Sequence, residues 1–160
     1  MSAAADDTTP EQKLVELGLE LPPVPQPVAN YVGAVRVGNL LFVSGHGPLR
    51  DGRAVFTGKL GAGVDLEEGR QAAQLVALNM LATIRAELGE LARVRRVVKL
   101  LCMVNSTPDF VQQPLVANGA SDLLVALYGE AVGKHARSAV GMAALPFDIP
   151  VEIEGIFEVE

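Results

Sequence analysis

The chain has 160 residues, 49% of them hydrophobic and 20% charged, with a formal net charge of -6. This length suits one domain, and the apolar content supplies a sizeable core, which excludes global disorder. The acidic balance makes a phosphate backbone a poor partner, so nucleic acid is not expected, while a small anionic metabolite remains compatible because one buried arginine sets a pocket's local field.

Met1 to Thr9 is acidic and rich in small residues and reads as a disordered tail. It lacks the basic segment and apolar stretch of a signal peptide. No apolar run reads as long enough to span a bilayer, so the expected location is the cytoplasm, with no membrane partner. Pro10 to Leu17 forms a short helix with Gly18 as its stop. Leu21 to Pro27 carries four prolines, which forbid a helix or a central strand and leave an extended surface arm.

Ala34 to Val37 and Leu40 to Val43 are β-rich and flank Gly38-Asn39, a pair suited to the positive φ of a tight hairpin turn. A short strand near Arg53 to Thr57 and a glycine-rich link follow. Asp65 and Glu68 have capping-box spacing at the head of the clearest helix, and Gly89 ends it. Val94 to Val104 reads as a strand with one buried face. Pro114 to Leu127 is a second helix weakened by Gly119. Ser138 to Ala143 is a strand of small residues, Leu145 to Pro150 a turn, and Val151 to Val159 a strand of strict alternation. The order predicts an α+β domain with a mostly antiparallel sheet and two helices on one face. A partner subunit is the natural cover for the other face.

Most motifs read blandly. His46, His135 and the lone Cys102 do not make a zinc cluster, and one cysteine allows no intrachain disulfide. Cys102 reads as a small buried hydrophobe. Gly58 to Gly63 lacks the spacing of a phosphate loop and reads as a flexible link. Arg93, Arg95, Arg96 and Lys99 read as a solvated basic strand entry, with the glutamates of the last strand as candidate partners. Arg137 beside Ser138, Ala139 and Gly141 has room for a ligand, and its planar fork suits a carboxylate, although a surface arginine at a strand start is the simpler reading. Glu152 is one of several glutamates on a polar strand face. If Leu145 to Pro150 makes a hairpin, Glu152 and Arg137 stand about 20 Å apart at strand rise, and a site that uses both has to form between subunits.

Two separated stretches carry a resemblance. Ala136-Arg-Ser-Ala-Val-Gly-Met-Ala-Ala-Leu-Pro146, followed by Val151-Glu-Ile-Glu-Gly-Ile156, resembles the C-terminal signature of the Rid (reactive intermediate deaminase) family, also called the YjgF family. Asn30-Tyr-Val-Gly-Ala-Val-Arg-Val-Gly-Asn-Leu-Leu-Phe-Val-Ser-Gly45 resembles its N-terminal signature. The resemblance covers residues 28–160, leaving 1–27 as tail, short helix and proline-rich arm. It is strongest to a longer branch often labelled endoribonuclease.

The resemblance implies a chorismate-mutase-like homotrimer of the bacillus type, with clefts between subunits. It implies hydrolysis of 2-imino or enamine acids to 2-keto acids and ammonia, with no cofactor and no metal. It assigns the carboxylate-holding arginine to Arg137 and the water-orienting acid to Glu152. The cleft tyrosine, serine, glycine and asparagine correspond to Tyr31, Ser44, Gly45 and Asn118. Ala139 replaces the family's common cysteine, and His46 stands where glutamine is usual. The chemistry agrees with the residues, since an electrophilic imine needs only positioning, a water and a proton path. A non-catalytic metabolite-binding or regulatory trimer would use the same cleft, and a ribonuclease is the third alternative.

Overall fold

The computed structural model describes residues 8–160. The expected tail lies outside the described residues except for its end. There Thr9 is the N-cap of α1 (Pro10–Glu16), its hydroxyl accepting from the Gln12 amide while the Gln12 side chain accepts from the Thr9 amide. The arm that follows has no helix or strand.

Five strands make the main sheet. They are β1 (Ala34–Val37), β2 (Leu40–His46), β7 (Val94–Asn105), β8 (Ala136–Met142) and β9 (Val151–Val159), in the order β1-β2-β9-β7-β8. Between β2 and β7 lie two small pairs: β3 (Leu49–Arg50) with β4 (Arg53–Ala54), and β5 (Lys59–Leu60) with β6 (Gly63–Val64). The β1–β2 hairpin turns at Gly38, which adopts φ 61°.

The sheet is mixed. The β1–β2, β2–β9 and β9–β7 pairings are antiparallel and β7–β8 is parallel. The expected β8–β9 hairpin is therefore wrong, because β7 lies between those strands. The cause is α3 (Gln113–Gly133), the crossover that a parallel pair requires. It returns the chain to start β8 beside β7, and the 3-10 turn at Pro146–Asp148 then leads round to the other side of β7.

One face of the sheet is the core. Val151, Ile153, Phe157 and Val159 of β9 are buried there with Leu100, Cys102 and Val104 of β7. The face is covered by α2 (Leu66–Leu88), which packs on β2 and β9, and by α3, which packs on β7 and β8. The α2 capping box forms as expected, with Asp65 and Glu68 exchanging side-chain-to-amide bonds. The third helix, α1, rests on α3 from outside, and Glu11 accepts from the Leu91 amide at 2.6 Å. By length and composition α3 is apolar enough to cross a membrane, contrary to the sequence expectation. It nevertheless buries Val116, Ala117, Ala120, Leu123, Leu124 and Leu127 in the core and breaks at Gly129, where φ is 73°.

Gly119 has a reason to be glycine beyond its propensity. A Cβ there would stand 2.0 Å from the Arg70 carbonyl oxygen, so α2 and α3 touch backbone to backbone. Gly119→Ala should destabilise the fold by about 1–3 kcal/mol through overpacking, despite alanine's better helix propensity. The check is the denaturant midpoint, which should fall; a rise would mean that the helices part at no cost.

The other sheet face carries Val35, Phe42 and Val140, which are 40% to 51% exposed. Around Lys99, Leu101, Glu154 and Ile156 it forms an open hollow of about 490 Å³. Among the described residues α2 and α3 lie on the opposite, core face.

Several sequence features are absorbed by structure. Arg93 donates to the carbonyls of Leu88 and Glu160, Arg95 pairs with the Glu160 carboxylate, and Arg36 of β1 also donates to Glu160, so two members of the basic patch are engaged there. The glycine-rich link is structured rather than loose, and Lys59 Nζ donates to Asn105 Oδ1 and the Ala143 carbonyl, each at 2.5 Å. Cys102 is buried as expected, and burial pushes its thiol up to about 11.

Candidate functional site

The six residues singled out from the sequence fall into two groups. The first borders a cavity of about 610 Å³ lined by Tyr31, Ser44, Gly45, His46, Phe147 and Glu152 among others. The arm forms part of its wall through Pro25, Gln26 and Pro27.

Local backbone geometry builds this group. The β2–β9 register shifts between Val43 and His46, a bulge that re-aims the strand end carrying Ser44 and Gly45. A Cβ on Gly45 would come within 3.1 Å of the Glu152 carboxyl carbon, so glycine leaves room for that carboxylate against the bulge. Glu152 is half-buried, and among the described residues no group hydrogen-bonds or pairs with its carboxylate. Burial first, and the neighbouring Glu154 second, raise its pKa above the ordinary carboxylate value. A carboxylate in this state is open to water and a better proton acceptor than an exposed one.

The hydroxyl of Ser44 is already engaged. It donates to the Val32 carbonyl at 2.6 Å and so holds the segment that presents Tyr31, which is 47% exposed. His46 is buried and fully occupied. Its Nδ1–H donates to the Ser44 carbonyl at 2.6 Å, and its Nε2 accepts from the Thr83 hydroxyl of α2 at 2.8 Å. Burial lowers its pKa, opposed in part by the bond to Ser44. It is a neutral peg under the bulge rather than a group presented to a ligand.

The second group lies elsewhere. Arg137 stands within β8, not just before it as the sequence suggested, and its side chain turns to α3. Nη1 donates to Asn118 Oδ1 at 2.9 Å and to Ser121 Oγ at 3.0 Å, and Nη2 donates to the Pro114 carbonyl at 3.2 Å. A guanidinium has five N–H groups. Three are spent, all on neutral acceptors, and Nε–H and one Nη2–H remain without a partner among the described residues. No carboxylate of the described residues pairs with Arg137. A half-buried arginine with its charge unmatched and two N–H groups free has the chemistry to take a carboxylate.

Asn118 therefore steadies the arginine instead of facing a ligand with its oxygen. Sequence reasoning missed Ser121, whose hydroxyl bonds both Arg137 and His135. The signal was present, because Asn118 and Ser121 are three apart and share one helix face.

Within one chain the two groups do not meet. Arg137 is in register with Leu100 on β7 and Glu152 with Met103, three positions or about 10 Å along the strand. An odd spacing also places them on opposite sheet faces: Arg137 on the helix side, Glu152 on the open side. The sequence expectation of separation holds, although the hairpin behind it does not. Among the described residues no cluster of three or more His, Cys, Asp or Glu converges to hold a metal ion.

Residues 11–152 match the family model described as "YjgF/chorismate mutase-like, putative endoribonuclease". The chain belongs to this family. It is 48% identical over 145 residues to protein TCP17 of Trypanosoma cruzi, covering 91% of each chain. It is 32% identical over 142 residues to a 2-iminobutanoate/2-iminopropanoate deaminase of Dermatophagoides farinae, covering 89% of this chain and 95% of that one. The crystal structure of a protein of unknown function from Agrobacterium tumefaciens superposes with a TM-score of 0.88 at 48% identity, over 94% of this chain and 92% of that one. The α+β architecture with its mixed sheet is thus a YjgF/chorismate mutase-like one.

Proposed function

We propose that the protein is a cofactor-independent hydrolase that converts 2-imino or enamine acids to 2-keto acids and ammonia, at clefts formed between the subunits of a homotrimer. The observation that carries this reading is Arg137, held by three neutral acceptors with its charge unmatched and two N–H groups free among the described residues. Relatedness to a protein named as an imine deaminase supports the reaction class.

In this scheme Arg137 of one subunit grips the substrate carboxylate, and Glu152 of the next faces the imine carbon. Glu152 aligns a water and takes a proton as oxygen attacks carbon. The tetrahedral adduct then collapses, the carbon–nitrogen bond breaks, and nitrogen leaves as ammonia with the protons from water and the imine. Tyr31 borders the cleft, and Gly45 lets Glu152 approach the backbone. Ser44 and Asn118 hold the segments that carry Tyr31 and Arg137. The apolar walls contributed by Pro25, Pro27 and Phe147 would receive the substrate's side chain.

Two measurements bear on this reading. Light scattering at micromolar protein should give the mass of a trimer, since the open sheet face needs a cover; a monomer mass would remove the cleft altogether. Ammonia release from freshly generated 2-imino acids should accelerate with protein present. A rate equal to the spontaneous one would make the chain a metabolite-binding protein instead.

A further inference from the structure

We propose that Ser121 and His135 are positioning residues that lock Arg137 for carboxylate binding, an inference that rests on the reading of Arg137 given above. Four groups form one directed chain of hydrogen bonds. Arg137 Nη1 donates to Ser121 Oγ at 3.0 Å. Ser121 and His135 Nε2 are 2.9 Å apart, and His135 Nδ1 is 2.7 Å from the Gly133 carbonyl.

The carbonyl end decides the direction. Gly133 O only accepts, so Nδ1 carries the proton of the neutral ring, which leaves Nε2 as acceptor. The Ser121 hydroxyl must then donate to Nε2, and its lone pairs are left to Arg137. Every donor points the same way, an arrangement in which each bond polarises the next. A protonated ring would offer Nε2–H to Ser121 and break that sense. Burial, together with the Arg137 charge, lowers the pKa of His135 and keeps the ring neutral, against the opposing bond to Gly133.

Among the described residues no carboxylate pairs with this chain of bonds. Asp122, beside Ser121, reaches Arg70 of α2 at 3.5 Å, and Glu130 pairs with Lys134 at 3.0 Å on the last turn of α3. The relay thus fixes Nη1 by a neutral path. A carboxylate in the same place would hold Arg137 as firmly, but it would cancel the charge that the ligand needs.

The experiment is calorimetric titration of the folded protein with pyruvate at pH 8, where the imidazole is neutral. Wild type is compared with Ser121→Ala, His135→Phe, their double variant, Ser121→Thr and Arg137→Ala, with thermal melts of each. Either single variant should raise the Kd roughly tenfold, the effect of one hydrogen bond to a charged group. The double variant should be no weaker than the worse single one, because both act through one relay. Ser121→Thr, which keeps the hydroxyl, should restore most of the affinity, and kcat on an imine substrate should change less than KM.

Single variants that bind pyruvate like wild type, or losses that simply add, would overturn the relay while leaving Arg137 in place. Normal pyruvate binding by Arg137→Ala, or none by wild type, would instead overturn the functional reading and this inference with it.

Discussion

Arg137→Ala should abolish binding of 2-keto and 2-imino acids and, with it, imine hydrolysis. Two charge-assisted hydrogen bonds of about 1.5–3 kcal/mol each are lost, a weakening of roughly two to four orders of magnitude. Arg137→Lys should recover only part of this, since an ammonium supplies the charge without two parallel donors. The variant is not expected to be silent in stability. Arg137 also ties β8 to α3 through Asn118, Ser121 and the Pro114 carbonyl, so the fold should lose about 1–2 kcal/mol. A shifted but cooperative melt with no ligand binding is the expected pair of results. A folded variant that still binds pyruvate normally would place the carboxylate receptor elsewhere.

Glu152→Gln should lower turnover by two orders of magnitude or more while weakening ligand binding far less, in line with general-base contributions of about 10²–10⁴. The amide keeps the shape beside Gly45 and loses the charge that polarises water. The pH dependence follows from the raised pKa of Glu152, whose causes are burial and then Glu154. Activity that needs the carboxylate should fall on acidification through this raised value, earlier than for an exposed glutamate, and the Gln variant should lack that acid limb. For stability the sign is opposite. A carboxyl whose pKa is raised on folding adds stability below its unfolded pKa and loses it as pH rises through the folded one. At neutral pH Glu152→Gln should therefore melt no lower than wild type. Full turnover in the variant would return Glu152 to the solvated strand face.

The sequence was most legible where one local signal decides a feature. The capping box set the start of α2, and the alternation of β9 set both its bounds and its buried face. Alternation identifies faces but not neighbours, and this is why β8 and β9 were wrongly paired. Their true order depends on the return of α3, together with a turn in which Phe147 and Asp148 take φ values of 58° and 56°. Nothing in Pro146-Phe-Asp148 signals two successive left-handed residues. Gly119 read as a weak spot because propensity does not register that Arg70 lies across from it.

The candidate site was legible as a set of residue types and less so as an arrangement. Resemblance supplied Tyr31, Ser44, Gly45 and Asn118 and gave roles to Arg137 and Glu152, which the residues had already singled out, and the fold gives these side chains different partners. Ser44 and Asn118 have their oxygens committed within the chain. His46, expected beside the cleft in place of the usual glutamine, is taken up by Thr83 and the Ser44 carbonyl. Ser121 was signalled only by its spacing from Asn118, and its bond to Arg137 depends on β8 lying parallel beside β7 under α3.

The most direct test of a shared site is complementation. Arg137→Ala and Glu152→Gln subunits, each inactive alone, are mixed after dissociation and allowed to reassemble, and ammonia release is measured. Random mixing of equal amounts in a cyclic trimer makes roughly a quarter of the clefts native, each with Arg137 from one subunit and Glu152 from its neighbour. Recovery of about that fraction of wild-type activity is the expected result. A mixture of confirmed heterotrimers with no more activity than the separate variants would contradict a site built from two subunits.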